Sequence, residues 1–380
     1  MVRRLSGVAA LVAGALLALA AGDAVAGKPK SPPAASKLAP APAMRVHFLD
    51  VGQGAATLVE LPCGAMLIDT GGEENEDFHS VPALTAYLDA FFARRTDLDG
   101  HLSVLLITHP HIDHVRGAPS VLERYKVDNL VEDGRTARQD DAVVAMGKVR
   151  DFLLDHPAVG HQVVTLEDIP ATGALTSAVI DPFPACKGVD PSVRVLWGAS
   201  PHDPGWGEDN YGHARFDNDN NHSIVTRLDF GKASVLVTGD LEEVAIGALL
   251  GARPAELLDV DVYEVGHHGS HNGTTRPLLE EMTPKFAVME VGPAARRHSW
   301  TAWAYGHPRQ PTIDLLTSGV TGARDAVVEQ IGQAVKSFSS QTIDKAIYAT
   351  GWDGTVVLEA HEDGSIVRGT PDVVSAPPAP

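Results

Sequence analysis

Apolar positions along this chain fall into two rhythms. Short apolar runs at 46–51, 56–61 and 65–69 are separated by Gly52-Gln53-Gly54 and Pro62-Cys63-Gly64, a pattern that predicts a β-meander. The period then changes. Leu84, Leu88, Phe91 and Phe92 recur at helical spacing and predict a helix over 81–95, with Ser80 as its N-cap. An apolar strand is predicted over 103–107, and Ala142, Met146, Val149 and Leu153 mark a further helix. Strands at 223–230 and 233–238 flank a Gly231-Lys232 turn, and others fall at 262–265, 286–291 and 356–360. Strands interleaved with helices after an opening meander favour stacked layers of sheet and helix over a bundle.

The two ends follow neither rhythm. Arg3-Arg4, an uncharged small and apolar run over 8–21, and Ala24-Val25-Ala26 have the layout of a secretory signal peptide, residues 1–26. The apolar run is shorter than the ~20 residues a spanning helix needs. Cleavage near Ala26 gives a secreted or periplasmic protein, with no membrane span expected in the mature chain. Residues 27–43, rich in Pro, Ala, Lys and Ser, read as a disordered linker, and 371–380 as a similar tail. No second break in composition and no repeat divides 44–370, which is expected to be one domain. A net charge of −19 provides no general attraction for polyanions. Cys63 and Cys186 could pair in an oxidising compartment or remain two free thiols. No protein partner is evident in the sequence.

The chemistry begins where the 103–107 strand ends, at His109-x-His111-x-Asp113-His114. Two imidazoles one residue apart can close on one cation, and the Asp-His pair can hold a second beside it. The design repeats downstream. One apolar strand ends at Gly239-Asp240 and another at Gly266-His267-His268. The first motif resembles the signature loop of the metallo-β-lactamase superfamily, which implies an α/β, four-layer αββα sandwich with a mono- or dinuclear metal site. Phe48-Leu49-Asp50-Val51-Gly52-Gln53-Gly54 and Leu67-Ile68-Asp69-Thr70-Gly71 are similar to the opening of the hydrolase domain of ComEC-type competence proteins. That similarity runs from about residue 45 to 366 and includes Asn220-Asn221-x-Ser223, Tyr305-Gly306-His307-Pro308 and 350–355. Two positions depart from it: Ala55 stands where relatives carry Asp or Ser, and His111 where many carry an acid.

The resemblance implies a ligand set. His109, His111 and His222 would hold one cation and Asp113, His114 and His267 the other, with Asp240 between and Asp69 as a buried supporting carboxylate. His222 reaches that place only if the 223–238 hairpin brings its ends together. His267 and His268 could exchange roles, the second otherwise facing substrate. A nitrogen-rich ligand set favours two Zn²⁺ ions, with Mn²⁺ as the alternative. Asp113, His268 and His307 are the expected catalytic residues, and Arg296, Arg297 and His307 the substrate-binding ones. Trp300 and Trp303 could stack on a base or cover a core edge. The loop at 203–222 is either a lid or a solvated insertion. No G-x-S-x-G or cysteine nucleophile is present. The implied activity is hydrolysis of a phosphodiester, DNA being the most specific candidate, by a metal-held hydroxide. A β-lactamase or other ester or amide metallohydrolase is the alternative enzyme, and a non-catalytic metal-binding module the alternative class.

Overall fold

The computed structural model describes residues 42–373. The predicted signal peptide, most of the predicted linker and residues 374–380 of the tail lie outside the described residues.

The meander forms as expected. Ala43–Phe48, Thr57–Leu61 and Gly64–Ile68 pair antiparallel in succession. They extend into an eight-stranded sheet in the order Gly160–Val163, Asn129–Glu132, Val104–Leu106, Gly64–Ile68, Thr57–Leu61, Ala43–Phe48, Val356–His361 and Ile366–Arg368. Its central strands, Thr57–Leu61, Gly64–Ile68 and Val104–Leu106, are buried on both faces, because both faces are covered. Met66, Ile68, Val104 and Leu106 face the second sheet, while Ala65, Leu67 and Leu105 face the helices Ser80–Arg94 and Asp140–Asp155. The second sheet has six strands: Ser192–Trp197, Val225–Phe230, Ala233–Val237, Val262–Glu264, Phe286–Met289 and Ile347–Ala349. Ile246, Leu278 and Ile313, from the helices Glu243–Ala252, Arg276–Met282 and Gln310–Gly319, cover its outer face. The result is helix, sheet, sheet, helix, as predicted.

Several boundaries differ from the predictions. Ser80 is the first residue of its helix, not a side-chain cap, and its hydroxyl has no partner. Near the C-terminal end of the described residues, the Asp372 carboxylate accepts bonds of 2.6 and 2.8 Å from Arg94. A separate hairpin, Ala323–Ala334 with Ser337–Lys345, escaped the strand pattern because its residues are mostly polar and exposed. It supports the loop around His307: Gly332 N–H donates to the Pro308 carbonyl at 2.8 Å.

Cys63 and Cys186 form a disulfide, their Cα atoms 6.0 Å apart. It joins the second meander turn to the segment preceding Ser192–Trp197.

The topology decides where chemistry can occur. Gly64–Ile68 runs parallel to Val104–Leu106, and Ala233–Val237, Val262–Glu264 and Phe286–Met289 run parallel to one another. The C-terminal ends of these strands carry Asp69, His109, Asp240, His267-His268 and Glu290. The two sheets are tied at this edge, where Ile224 N–H donates to the Thr108 carbonyl at 2.9 Å. Gly239 is required there, with φ of +52° and a place for Cβ only 2.9 Å from Thr108 Oγ1.

Candidate metal centre

Two side-chain clusters meet at this edge and share Asp240. Asp113, His114, Asp240 and His268 form one; His109, His111 and Asp240 form the other. In the first, His114 Nε2 lies 3.3 Å from Asp240 Oδ1, and His268 Nε2 lies 3.5 Å from the same oxygen and 3.4 Å from Asp113 Oδ2. Four ligands set tetrahedrally at zinc's bond lengths stand about 3.3–3.4 Å apart, so these atoms are spaced as ligands of one ion. In the second, His109 Nε2 is 3.9 Å from Asp240 Oδ2.

Three of the four imidazoles, those of His114, His268 and His109, are aimed by their other nitrogen. His114 Nδ1–H donates to Asp69 Oδ2 at 2.7 Å, and Thr108 fixes that carboxylate through its amide and hydroxyl at 2.8 and 2.6 Å. His268 Nδ1–H donates to the Glu290 carbonyl at 2.8 Å. His109 Nδ1 lies 3.2 Å from Ser223 Oγ. These contacts leave the Nε2 atoms facing the cluster. There, Nε2 of His109, His114 and His268 is buried without a hydrogen-bond partner among the protein atoms. Each such orphan costs roughly 1–3 kcal/mol, and three converging on two carboxylates fit bound cations.

Electrostatics reflect the same convergence. Burial, then the His114 and His111 rings, hold His109 well below imidazole's usual range, in the neutral form that ligates metal. Burial opposes charge on His268 too, but Asp240 and Asp113 outweigh it and push that ring up to about 9. Burial likewise works against Asp240 as an anion, yet His268, His114 and His267 hold it well below the usual carboxylate range.

Three expectations need correction. His222 does not join the centre. Its Nδ1 accepts from the Ser200 amide at 3.0 Å and its Nε2–H donates to the Phe216 carbonyl at 2.8 Å, so both ring nitrogens are occupied. The hairpin does close, but Ser223 takes the inward place: its Oγ accepts from Asp240 N–H at 3.1 Å. His267 and His268 exchange roles. His268 belongs to the cluster, while His267 Nε2 is 3.8 Å from Asp240 and its Nδ1 is 3.1 Å from Asn272 Oδ1. The arginine pair is the third. Arg296 is engaged by Glu73 at 3.0 Å and by the Phe78 ring, and Arg297 is exposed. Neither lines the cleft over the cluster.

That cleft, about 820 Å³, is lined by Gln53, Glu73, Glu74, Asp113, Arg116, Arg138, Asp140, Asp141, Asn220, Asp240, His267, His268, Trp300, Tyr305 and His307. His307 is buried at this cleft, with Gln53 Nε2 3.4 Å from its Nδ1. Burial, then the neighbouring His267 and His268, hold His307 well below the usual imidazole range. Gln53 is positioned by the Gly52 turn, where a Cβ would meet Glu73 at 2.5 Å. Arg116 and Arg138 were not anticipated. Arg116 is three residues after Asp113, one helical turn on, and that spacing was the available signal; Arg138 had none. The 203–222 loop walls a second cavity of about 690 Å³ that meets the first at His111 and Arg138.

Residues 49–208 match the family model described as "Metallo-beta-lactamase superfamily". The chain is 27% identical over 286 residues to ComE operon protein 3 of Bacillus subtilis, covering 71% of this chain and 30% of that protein. It is 26% identical over 266 residues to Recombination protein 2 of Haemophilus influenzae, covering 70% and 26%. It therefore spans less than a third of the length of either relative. Among solved structures, the metallo-β-lactamase fold protein YhfI of Bacillus subtilis aligns with a TM-score of 0.38 and 11% identity, over 73% of this chain and 94% of that one. With two stacked sheets between helical layers, and two His/Asp clusters at the edge where the strands end, this chain has an αββα sandwich fold, and its residues 49–208 are similar to the metallo-β-lactamase superfamily.

Proposed function

We propose that this protein is an exported metallohydrolase that cleaves phosphodiesters, DNA being the most specific candidate. The observation that carries the reading is the pair of clusters sharing Asp240, with three buried, unpartnered Nε2 atoms turned into them. His109, His111 and Asp240 would hold one divalent cation; Asp113, His114, His268 and Asp240 the other. When bound, two such ions supply a water of lowered pKa and neutralise charge on a phosphoryl oxygen. The protein's own contribution is positional. Asp69, Glu290 and Ser223 hold the imidazoles, so little reorganisation is needed when a substrate arrives.

A phosphodiester carries an anionic oxygen that an ester or lactam lacks. Arg116 and Arg138 line the same cleft as Asp113 and His268; Arg116 donates to the Gly72 carbonyl at 2.9 Å and Arg138 to that of Asp217 at 2.8 Å, and their remaining guanidinium N–H groups favour that charge. His307, kept neutral by burial, offers a ring N–H to a phosphoryl or leaving-group oxygen. The similarity to two bacterial proteins named for the ComE operon and for recombination agrees with a nucleic-acid substrate. Export is supported by the pattern of residues 1–26 and by the Cys63–Cys186 disulfide, since disulfides persist in oxidising compartments. Among the described residues, no helix is long and apolar enough to cross a membrane.

The test compares bis(p-nitrophenyl) phosphate, single-stranded DNA and a chromogenic cephalosporin on protein of measured metal content, alongside Asp240→Ala. Turnover of the phosphodiesters, lost with the metal in the variant, is expected. Turnover of the cephalosporin alone overturns the substrate class, and full metal content with no turnover of any of them leaves a binding module.

A further inference from the structure

Trp300 lines the same cleft as Asp113, Asp240, His268 and His307, yet 68% of its surface is open. Its backbone is left-handed, with φ of +61°. For a bulky side chain this is a rare and strained conformation that persists only where the surroundings impose it.

The surroundings do impose it. Arg296 binds Glu73 at 3.0 Å and lies 4.1 Å from the Phe78 ring centroid. His298 Nε2 pairs with Asp77 Oδ2 at 2.6 Å. Thr301 Oγ1 stands 2.9 Å from the Arg296 carbonyl and 2.8 Å from that of His298. Glu73 also accepts from the Gln53 amide at 2.9 Å, so the loop is tied to the turn that carries a cleft residue. The indole meets Tyr305 edge-on at 6.2 Å, and Tyr305 stacks on His307 at 5.5 Å. A line of rings thus runs from the surface to the metal centre, and its outermost member keeps most of its surface free. Trp303 differs: it is partly buried, and Lys336 of the exposed hairpin lies over its ring at 5.0 Å.

We propose that Trp300 is a stacking platform for the nucleobase next to the phosphodiester held at the metal centre. The inference rests on the phosphodiester reading above and deepens it, assigning the substrate a flat aromatic ring beside the scissile group. The cleft supplies both halves of such recognition. Arg116 and Arg138 complement the phosphate, and a rigid indole offers a π-face that any base can cover.

The experiment uses oligothymidylate and an abasic tetrahydrofuran oligomer of equal length, which has the same phosphodiesters and no bases. The ratio of kcat/KM on the two is measured for wild type, Trp300→Ala and Trp300→Phe, each at matched metal content. The wild-type ratio should favour the base-bearing oligomer by about 10-fold. Trp300→Ala should bring it close to one, mainly through KM, and Trp300→Phe should keep most of it. A wild-type ratio of one, or a Trp300→Ala ratio equal to the wild type's, overturns the platform while leaving the phosphodiesterase reading intact. Wild type that cleaves neither oligomer overturns that reading and the platform with it.

Discussion

His268 Nε2 lies 3.4 Å from Asp113 Oδ2, while its neighbour His267 turns its Nδ1 to Asn272 at 3.1 Å. Both residues have φ of +52°, so the chain turns sharply between them and sends adjacent rings to different partners. The two histidines should therefore separate cleanly in a metal assay. His268→Ala is expected to lose one equivalent of bound metal, and His267→Ala to keep the full count, as read by atomic absorption on dialysed protein. The reverse outcome would restore His267 as the ligand.

His222 should behave as a structural pin. Removing its ring leaves the buried Ser200 amide and the part-buried Phe216 carbonyl without partners, at a cost of roughly 1–3 kcal/mol. His222→Ala should bind metal like wild type and unfold at lower denaturant concentration. A lost equivalent of metal with unchanged stability would show that the ring does ligate.

The contrast between these residues shows what sequence carries. Apolar runs ending in Thr108-His109 and Gly239-Asp240 located the centre, because strand ends converge in a layered α/β fold and periodicity marks where strands stop. Direction within a turn is not encoded in this way. Whether His267 or His268, or His222 or Ser223, faces inward depends on backbone dihedrals and on distant partners such as the Glu290 carbonyl and Ser200 amide. Arg296 misled for a related reason: a basic pair near site motifs looks free until the buried Glu73 that engages one member is known.

A buried ion cluster far from the metals should govern acid stability. Glu60 accepts from Arg94 at 2.8 and 2.7 Å and from Arg95 at 2.9 Å, with His47 Nε2 at 3.3 Å. Burial alone would raise its pKa, but the Arg94 hydrogen bonds and His47 outweigh that and hold it far below the ordinary 4.5. A carboxylate depressed in the folded state stabilises it above the unfolded pKa, and the contribution fades as pH falls towards the folded value. Wild-type stability should therefore drop as pH falls below about 4.5. Glu60→Gln should already be less stable at pH 7, by about 3–5 kcal/mol, with a flatter profile in acid. Urea unfolding of both proteins between pH 7 and pH 3 measures this, and parallel profiles would refute it.

The Cys63–Cys186 bond closes a sequence separation of 123 residues. Cross-links of this kind restrict the unfolded chain and commonly contribute about 2–4 kcal/mol. Reduction, or the paired Cys63→Ser and Cys186→Ser replacement, should lower the unfolding midpoint without changing the metal count. An unchanged midpoint would mean that the bond contributes nothing to stability.

The two metal positions should not fill equally. Asp113, His114, His268 and Asp240 offer four protein ligands to one cation, while His109, His111 and Asp240 offer three to the other, Asp240 being shared. His222, which might have completed the smaller set, is occupied elsewhere. Three of the four residues in the larger set are buried, and two of its imidazoles are fixed through Nδ1 by Asp69 and Glu290. Fixed orientation of this kind typically changes metal affinity by about 10–100-fold. The first equivalent of Zn²⁺ or Mn²⁺ added to metal-free protein should bind more tightly than the second by at least that order. His109→Ala should retain the tight phase and lose the weak one, and Asp113→Ala should lose the tight phase. Isothermal titration against a competing chelator resolves the two phases without any substrate. Two equal phases in wild type, or loss of the tight phase in His109→Ala, would show that ligand number does not set the order of loading.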